Sequence, residues 1–280
     1  MLIVARYVLT ECLRRRVFII VPVLTTLFLV LYAWGTSSAW SATQDINGPE
    51  AIDRAVLTGS TMLGLSMFAT MFLGAVLATF LTFTIVRGDA EQGLLQPLVV
   101  RPVGRSEVFL GRYLGAVAVA STYVGILFLS CVAITSVVTG WAPDRVVAPA
   151  LHLATAVAVV ALLSLVGSIF LATVANGVAV MMIFGAGLTA GLLQQIGEAL
   201  GSETLMTIGR TVAIILPFEA LYQAGLFGLT ADIAGISGFV VRLGPFGGGQ
   251  PLEAVHYLTF AVYLAAVLGA GLVAFERKDI

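Results

Sequence analysis

The chain has 280 residues, of which 59% are hydrophobic and 10% are charged. A soluble domain carries about 25% charged residues, so this composition indicates an integral membrane protein. The net charge of −1 gives no indication of nucleic-acid binding. The two cysteines, Cys12 and Cys131, exclude a framework of disulfides and lack the spacing of metal ligands.

A long apolar run follows three consecutive arginines near the N-terminus, Arg14 to Arg16. The apolar region of a signal peptide has about 7–15 residues, whereas Val17–Trp40 comprises 24. This run therefore predicts a retained transmembrane helix.

Six segments are long and apolar enough to cross a bilayer, which takes about 20 apolar residues. Val146–Gly197 contains no acid, lysine or arginine and is too long for one helix, so we divide it at Asn176-Gly177, a dipeptide typical of turns. The predicted spans are Val17–Trp40, Val56–Val86, Leu114–Thr139, Ala148–Thr173, Val178–Gln195 and Ala254–Phe275.

The cationic residues predict the orientation in the membrane. An even number of spans places both termini on one side, together with the segment between the second and third spans. That side carries ten cations and the other carries four, so the positive-inside rule predicts that both termini are cytoplasmic in a multi-pass protein of the cell (inner or plasma) membrane. The ten are Arg6, Arg14, Arg15, Arg16, Arg87, Arg101, Arg105, Arg112, Arg277 and Lys278, and the four are Arg54, Arg145, Arg210 and Arg242.

Residues 198–253, before the last span, form an outer segment that is apolar rather than polar. Its apolar pieces Val212–Pro217 and Leu221–Leu229 are too short to cross the bilayer. They predict short helices that either re-enter the outer leaflet or lie at the interface across the outer mouth. The predicted breaks are Pro217, Gly225 and Gly228.

Two absences disfavour or exclude particular functions. The predicted spans hold no Asp, Glu, Lys or Arg at mid-depth, which counts against a transporter driven by protons or sodium. His152, near an outer end, is interpreted as an interfacial histidine. A Walker A loop needs a lysine, and the only lysine is Lys278, so any ATP dependence must come from a partner.

The segment RGDAEQGLLQPLVVRPVGRSEVFLGRY, Arg87–Tyr113, collects four arginines and three acids between two uncharged stretches. Asp89 and Glu91 are favourable near the N-terminus of a helix, and four apolar residues that follow form a narrow stripe. Arginines alone would fit a solvated loop lying on anionic headgroups, but the interleaved acids and the stripe favour docking to a protein. The stripe comprises Leu94, Leu95, Leu98 and Val99.

The residues of this loop follow the order of a known motif. In sequence they are Asp89, Glu91-Gln92-Gly93, Leu95, Leu98-Val99, Pro102-Val103, Arg105, Glu107 and Gly111. They resemble the first cytoplasmic loop of type-2 ABC transporter permeases, which reads as an acidic pair, E-x-G-T-L, two large apolar residues, P-[IV]-S-R, an acid and G-K. The final residues, Phe275–Ile280, resemble the basic-Asp-Ile/Leu tail of the same family.

The loop also departs from that family pattern. Leu94 stands in place of the threonine, Gly104 in place of the serine and Arg112 in place of the lysine. Pro97 falls inside the expected helix, where it removes a backbone hydrogen bond and clashes with the preceding turn. The helix that contacts a partner is therefore expected to be split near Gln96.

The resemblance implies an all-α integral membrane fold with six transmembrane helices, the type-2 ABC exporter permease fold, in a single domain over residues 1–280. It further implies an interfacial amphipathic helix within residues 1–16 and a cytoplasmic coupling loop over residues 87–105. Within the family, the chain resembles the permease that serves nitrous oxide reductase maturation.

The resemblance also implies the function. The chain would be the permease of an ATP-driven exporter, not an enzyme. Its partners would be a separate cytoplasmic ABC ATPase that binds ATP and Mg, a second permease copy or a paralogue, and the lipid bilayer. No catalytic residue, cofactor or metal is expected on this chain, and the contacts to the ATPase would be Asp89, Glu91, Leu95, Leu98 and Arg105.

Two questions stay open at this level. The alternative function is a membrane scaffold that anchors a cytoplasmic partner without moving a solute. For a transporter, the apolar interior fits lipids, hydrophobic drugs or a peptide equally well.

Overall fold

The computed structural model describes residues 17–44, 53–82, 104–233, 249–252 and 254–277. These residues form eight α-helices and no β-strand. In chain order the helices are α1 (Val17–Gln44), α2 (Arg54–Thr82), α3 (Arg105–Thr139), α4 (Val147–Phe170), α5 (Thr173–Leu200), α6 (Glu203–Ile215), α7 (Pro217–Thr230) and α8 (Ala254–Arg277).

Six of these helices, α1 to α5 and α8, are long and apolar enough to cross a membrane, which confirms the six predicted spans. The largest difference concerns α3, which begins at Arg105 rather than at Leu114. With 35 residues at a rise of 1.5 Å, it is about 50 Å long. Because the hydrocarbon core is about 30 Å thick, α3 extends well beyond it.

The helices α2 and α4 form the centre of the bundle, since more than half of the residues in the apolar stretch of each helix are buried. The side chains of Met67 on α2 and Val157 on α4 are fully buried. Gly74 allows α2 to approach its neighbours closely, because a Cβ atom there would overlap Val124 of α3 and Val157 of α4. In contrast, α1 and α8 lie at the periphery with apolar residues exposed.

The turn between α4 and α5 lies at Leu171 and Ala172, both of which have extended backbone. The predicted turn at Asn176-Gly177 is therefore wrong: Asn176 lies in the first turn of α5. Its side-chain Nδ2 donates a hydrogen bond of 2.8 Å to the Ser164 carbonyl of α4. Because the amide finds a partner on the neighbouring helix, the polar dipeptide is accommodated within a helix and does not need to turn.

The apolar segment before the last span contains α6 and α7, which are joined at Leu216 with a bend of 107°. Two short helices and a break at Pro217 are confirmed, since proline occupies the first turn of α7. Gly225 and Gly228 do not break α7, contrary to the prediction. Gly225 instead allows close packing, because a Cβ atom there would overlap Met67 of α2.

Several predicted features lie outside the described residues. They include the interfacial helix of residues 1–16, residues 83–103 with most of the coupling loop, and residues 234–248 of the outer segment. The interfacial helix and the coupling loop remain predictions.

Candidate functional site

Most of the residues that are predicted to contact the ATPase lie outside the described residues. Asp89, Glu91, Leu95 and Leu98 lie outside the described residues, and Arg105 is described only as the first residue of α3. The backbone of α3 starts after Gly104, whose carbonyl accepts a hydrogen bond of 3.2 Å from the Val108 amide. Among the residues it describes, the structure thus locates only the end of the loop.

The first turns of α3 are anchored firmly in the bundle. The ring of Phe109 is 1% exposed, and its centroid lies 5.6 Å from that of Phe275 on α8. One turn later, the Tyr113 hydroxyl donates a hydrogen bond of 3.2 Å to the Ala158 carbonyl of α4. The residues that directly follow the loop are therefore packed against two other spans.

A second candidate site is a cavity of about 540 Å³ near the bent helix pair. Its walls come from α5, α6, α7, α8 and the short segment before α8. The polar and aromatic residues that line it are Gln194, Gln195, Arg210, Glu219, Gln223, Gln250, His256, Tyr257, Thr259, Phe260 and Tyr263.

Glu219 is the buried acid of this cavity, with only 3% of its surface exposed. It is the third residue of α7, where the positive end of the helix dipole favours a negative charge. Its Oε1 accepts a hydrogen bond of 2.9 Å from Gln223 Nε2. The carboxylate also lies directly against Gly191 of α5, because a Cβ atom at that position would overlap Oε1.

The electrostatic state of Glu219 follows from this position. Helix α7 is not one of the six spans, yet the carboxyl group is enclosed by protein. Burial raises the pKa of Glu219, since it disfavours the charged form, and the hydrogen bond from Gln223 lowers it in part. Near neutral pH Glu219 therefore retains a proton more readily than an exposed glutamate.

Two chains of amide side chains connect the walls of the cavity. Gln195 Nε2 donates a hydrogen bond of 3.1 Å to Gln223 Oε1, which extends the contact with Glu219 from α7 to α5. On the other side, Gln194 Nε2 donates one of 2.9 Å to Gln250 Oε1, and Gln250 in turn donates to Glu198. These bonds fix α7 and the segment before α8 against α5.

His152 lies on α4 and is paired with a residue of α8. Its Nε2 shares a hydrogen bond of 3.1 Å with the Tyr257 hydroxyl, and Tyr257 also lines the cavity. Among the described residues, no group of three or more His, Cys, Asp or Glu could hold a metal ion.

Sequence reasoning missed Glu219 and its glutamine partners. The signal was present, since Glu219 and Gln223 are four residues apart in an otherwise apolar run and so share a helix face. The run is too short for a span, and a buried ionisable group is expected within spans, so the sequence pattern alone does not indicate that Glu219 is buried.

The sequence model of the ABC-2 family of transporter proteins matches residues 2–280. The chain belongs to this family. As an ABC-2 permease it is the membrane-spanning transport subunit of an ABC transporter and not an enzyme. Membership in the family, together with the six apolar helices, establishes a multi-pass membrane protein that associates with an ABC ATPase subunit. A comparison with curated proteins found no match.

Proposed function

We propose that this ABC-2 permease couples ATP hydrolysis on its separate ATPase subunit to the export of a substrate, and that residues 87–105 transmit the force. The charge of this loop and its likeness to the family motif support the assignment. The contacts would be Asp89, Glu91, Leu95, Leu98 and Arg105, while ATP and Mg bind to the ATPase.

The observation that carries the proposal is the anchoring of α3 directly after the loop. Arg105 begins the helix, and within two turns Phe109 packs on Phe275 and Tyr113 bonds to Ala158. A displacement of the loop would therefore move α3 together with α4 and α8. Helix α3 reaches Thr139 without a break, so the same rigid element would carry motion across the membrane.

ATP can drive the conformational change only through a difference in its affinity for two states of the transporter. A ligand shifts a conformational equilibrium only if it binds one state more tightly than the other. ATP binding to the ATPase meets this requirement if it favours a closed arrangement of two ATPase subunits, each under one permease. A second permease copy or a paralogue would then contact the peripheral helices, where Val30 and Trp34 of α1 are exposed.

The orientation forms part of the proposal. Ten of the fourteen cations fall on the side of the termini, which by the positive-inside rule is cytoplasmic. The coupling loop then faces the ATPase, and the bent helix pair with its cavity faces outwards.

The experiment uses the permease copurified with its ATPase and reconstituted in lipid nanodiscs. Spin labels at Val147→Cys and Glu203→Cys, two exposed positions on α4 and α6, report the distance between the outer ends of these helices. Cys12→Ser and Cys131→Ala remove the native thiols. ATP with vanadate is expected to shift the distance distribution. Glu91→Ala with Leu95→Ala is expected to abolish this shift, while ATP hydrolysis measured without vanadate continues.

The matched control removes an acid and a leucine from the other side of the membrane. Leu200→Ala with Glu203→Ala alters two exposed residues near the α5–α6 junction, with the label moved to Thr207→Cys. This control is expected to retain the shift. If the Glu91 and Leu95 double variant also retains it, the loop does not transmit the force. If the unaltered complex shows no response to ATP, the chain acts as a scaffold for its cytoplasmic partner.

A further inference from the structure

The cavity beside Glu219 plays no part in the coupling proposal. Its volume of about 540 Å³ lies within the range of about 300–1,000 Å³ found for small-molecule sites. It combines one buried carboxylate, several amides and an aromatic wall. These polar and aromatic groups can discriminate between ligands, which the mainly apolar surface of the surrounding helices cannot.

Glu219 lacks a cationic partner among the described residues. Its side chain is bonded to the neutral amide of Gln223, and Tyr222 beside it carries no positive charge. An ionised carboxylate in such surroundings is strongly unfavourable unless a cation or several donors compensate for the lost water. The dipole of α7 supplies only part of this compensation, so a positive ligand group would stabilise the ionised site.

The aromatic residues of α8 favour the same type of ligand. Tyr257, Phe260 and Tyr263 line the cavity, and ring faces attract cations, most strongly when water is excluded. The amides of Gln195 and Gln223 offer hydrogen-bond donors and acceptors next to the carboxylate. A cavity that combines a buried carboxylate with aromatic rings and amides suits an organic ammonium group.

We propose that this outer cavity binds a small organic ligand with a protonated amine, whose ammonium group lies beside the Glu219 carboxylate. The inference deepens the proposed function by giving a substrate class, and it rests on that function only for the statement that the ligand is transported. Binding itself requires no ATPase.

Two other kinds of ligand must be considered for this cavity: a metal ion and an amine that also carries an anionic group. A bare metal ion fits poorly, because the cavity is much larger than an ion and the described residues hold no cluster of three metal-binding side chains. Arg210 and His256 also line the cavity, so the ammonium ligand could carry an anionic group as well. Amines with and without a carboxylate must therefore be compared.

The test measures binding to the intact permease in nanodiscs of neutral lipid by titration calorimetry, with empty nanodiscs subtracted. Four indole probes differ in charge: tryptamine is cationic, tryptophan zwitterionic, tryptophol neutral and indole-3-acetate anionic. Tryptamine or tryptophan is expected to bind at least about tenfold more tightly than tryptophol, as expected for a hydrogen bond to a charged group. Indole-3-acetate is expected to bind no more tightly than tryptophol.

A variant with matched control identifies the carboxylate. Glu219→Gln keeps the shape of the side chain and is expected to abolish the preference for the amine over tryptophol. Glu203→Gln removes an exposed acid from the same helix pair and is expected to keep the preference. The comparison of the four probes on the unaltered protein needs no variant, so it decides the question even if Glu219→Gln does not fold.

The outcomes separate the two proposals. Equal affinity for tryptamine, tryptophan and tryptophol, or no binding by any probe, would overturn the ammonium site, as would an unchanged preference in Glu219→Gln. These results would leave the coupling loop intact, because that loop is tested by the response to ATP. Conversely, amine binding with no ATP response would retain the site and reject the coupling.

Discussion

Asn176 on α5 donates a buried hydrogen bond of 2.8 Å from Nδ2 to the carbonyl oxygen of Ser164 on α4. The amide fits there because Gly167, one turn further along α4, leaves room for it: a Cβ atom at Gly167 would overlap Asn176 Oδ1. The tight turn at Leu171 and Ala172 brings the two helices together at this point. One polar side chain thus fixes the register of the α4–α5 hairpin.

Asn176→Ala is expected to lower the free energy of unfolding. Hydrogen bonds between membrane helices contribute about 0.6 kcal/mol on average and up to about 1.7 kcal/mol, and the variant removes one of them. Unfolding of the purified permease in mixed detergent measures the change. Thr189→Ala is the control, since Thr189 on the same helix is exposed and bonds only to its own helix, at Gly185. Equal stability of the two variants would contradict the assigned role of Asn176.

A second prediction concerns the packing of the bent helix pair against α5. Phe218 of α7 is fully buried and stacks on Phe184 with ring centroids 5.6 Å apart, and a Cβ atom at Gly187 would lie 2.6 Å from Phe218 Cζ. Gly187→Ala therefore overpacks this contact and is expected to cost about 1–3 kcal/mol.

The matched control for this prediction is Gly185→Ala, two residues away on α5. No atom lies within 4 Å of a Cβ at Gly185, so alanine is expected to be neutral or to stabilise the helix slightly. Thermal unfolding of both variants gives the comparison, and faster proteolysis of α6 in Gly187→Ala alone would place the damage at the bent pair. A Gly187→Ala protein as stable as Gly185→Ala would show that Phe218 adjusts freely.

The sequence was sufficient for the six spans because their signal is local. Each span needs only a long apolar run, and the run itself shows where it ends to within several residues. The predicted start of α3 is too late because Arg105 and Arg112, whose charge favours a loop, lie within the helix. Long arginine side chains are compatible with a helix that projects beyond the hydrocarbon core.

The errors of prediction concern features that depend on a partner far away in the sequence. The Asn176-Gly177 dipeptide favours a turn in isolation, but its amide bonds to Ser164, twelve residues earlier. Gly225 breaks an isolated helix pattern, yet in the bundle it makes room for Met67. Such contacts are set by the packing of the helices, which the local pattern does not contain.

The same reason explains why Glu219 in the cavity could not be predicted from the sequence. Glu219 lies in an apolar piece that is too short for a membrane span, so its sequence does not indicate that it is buried. Its burial arises because the bend at Leu216 folds α7 onto α4 and α5. By contrast, the coupling loop is predicted from a motif, which requires no knowledge of the packing, and it stays a prediction.

A third prediction concerns Asp232, which follows α7 and forms an ion pair of 2.8 Å with Arg145 before α4. Both side chains are well exposed, at 36% and 60%, and exposed pairs contribute about 0–1 kcal/mol. Asp232→Asn is therefore expected to change the free energy of unfolding by less than about 1 kcal/mol, with a smaller effect at high salt. A larger loss, independent of salt, would mean that the pair is shielded by other parts of the protein.

The fourth prediction tests the orientation on which the coupling loop depends. In a protein without native cysteines, through Cys12→Ser and Cys131→Ala, single cysteines are introduced at Glu107 and Glu203. Both positions are exposed and lie at the start of a helix, α3 and α6 respectively. Because the positive-inside rule counts Lys and Arg and not acids, neither substitution is expected to alter the topology.

A membrane-impermeant maleimide added to intact cells is expected to label Glu203→Cys at once and Glu107→Cys only after permeabilisation. The odd number of spans between the two positions, α3, α4 and α5, requires them to face opposite sides. Labelling of both from outside would therefore contradict the six-span topology itself. Labelling of Glu107→Cys alone would be consistent with six spans but would invert their orientation. The 87–105 loop would then face away from any ATPase that uses cytoplasmic ATP.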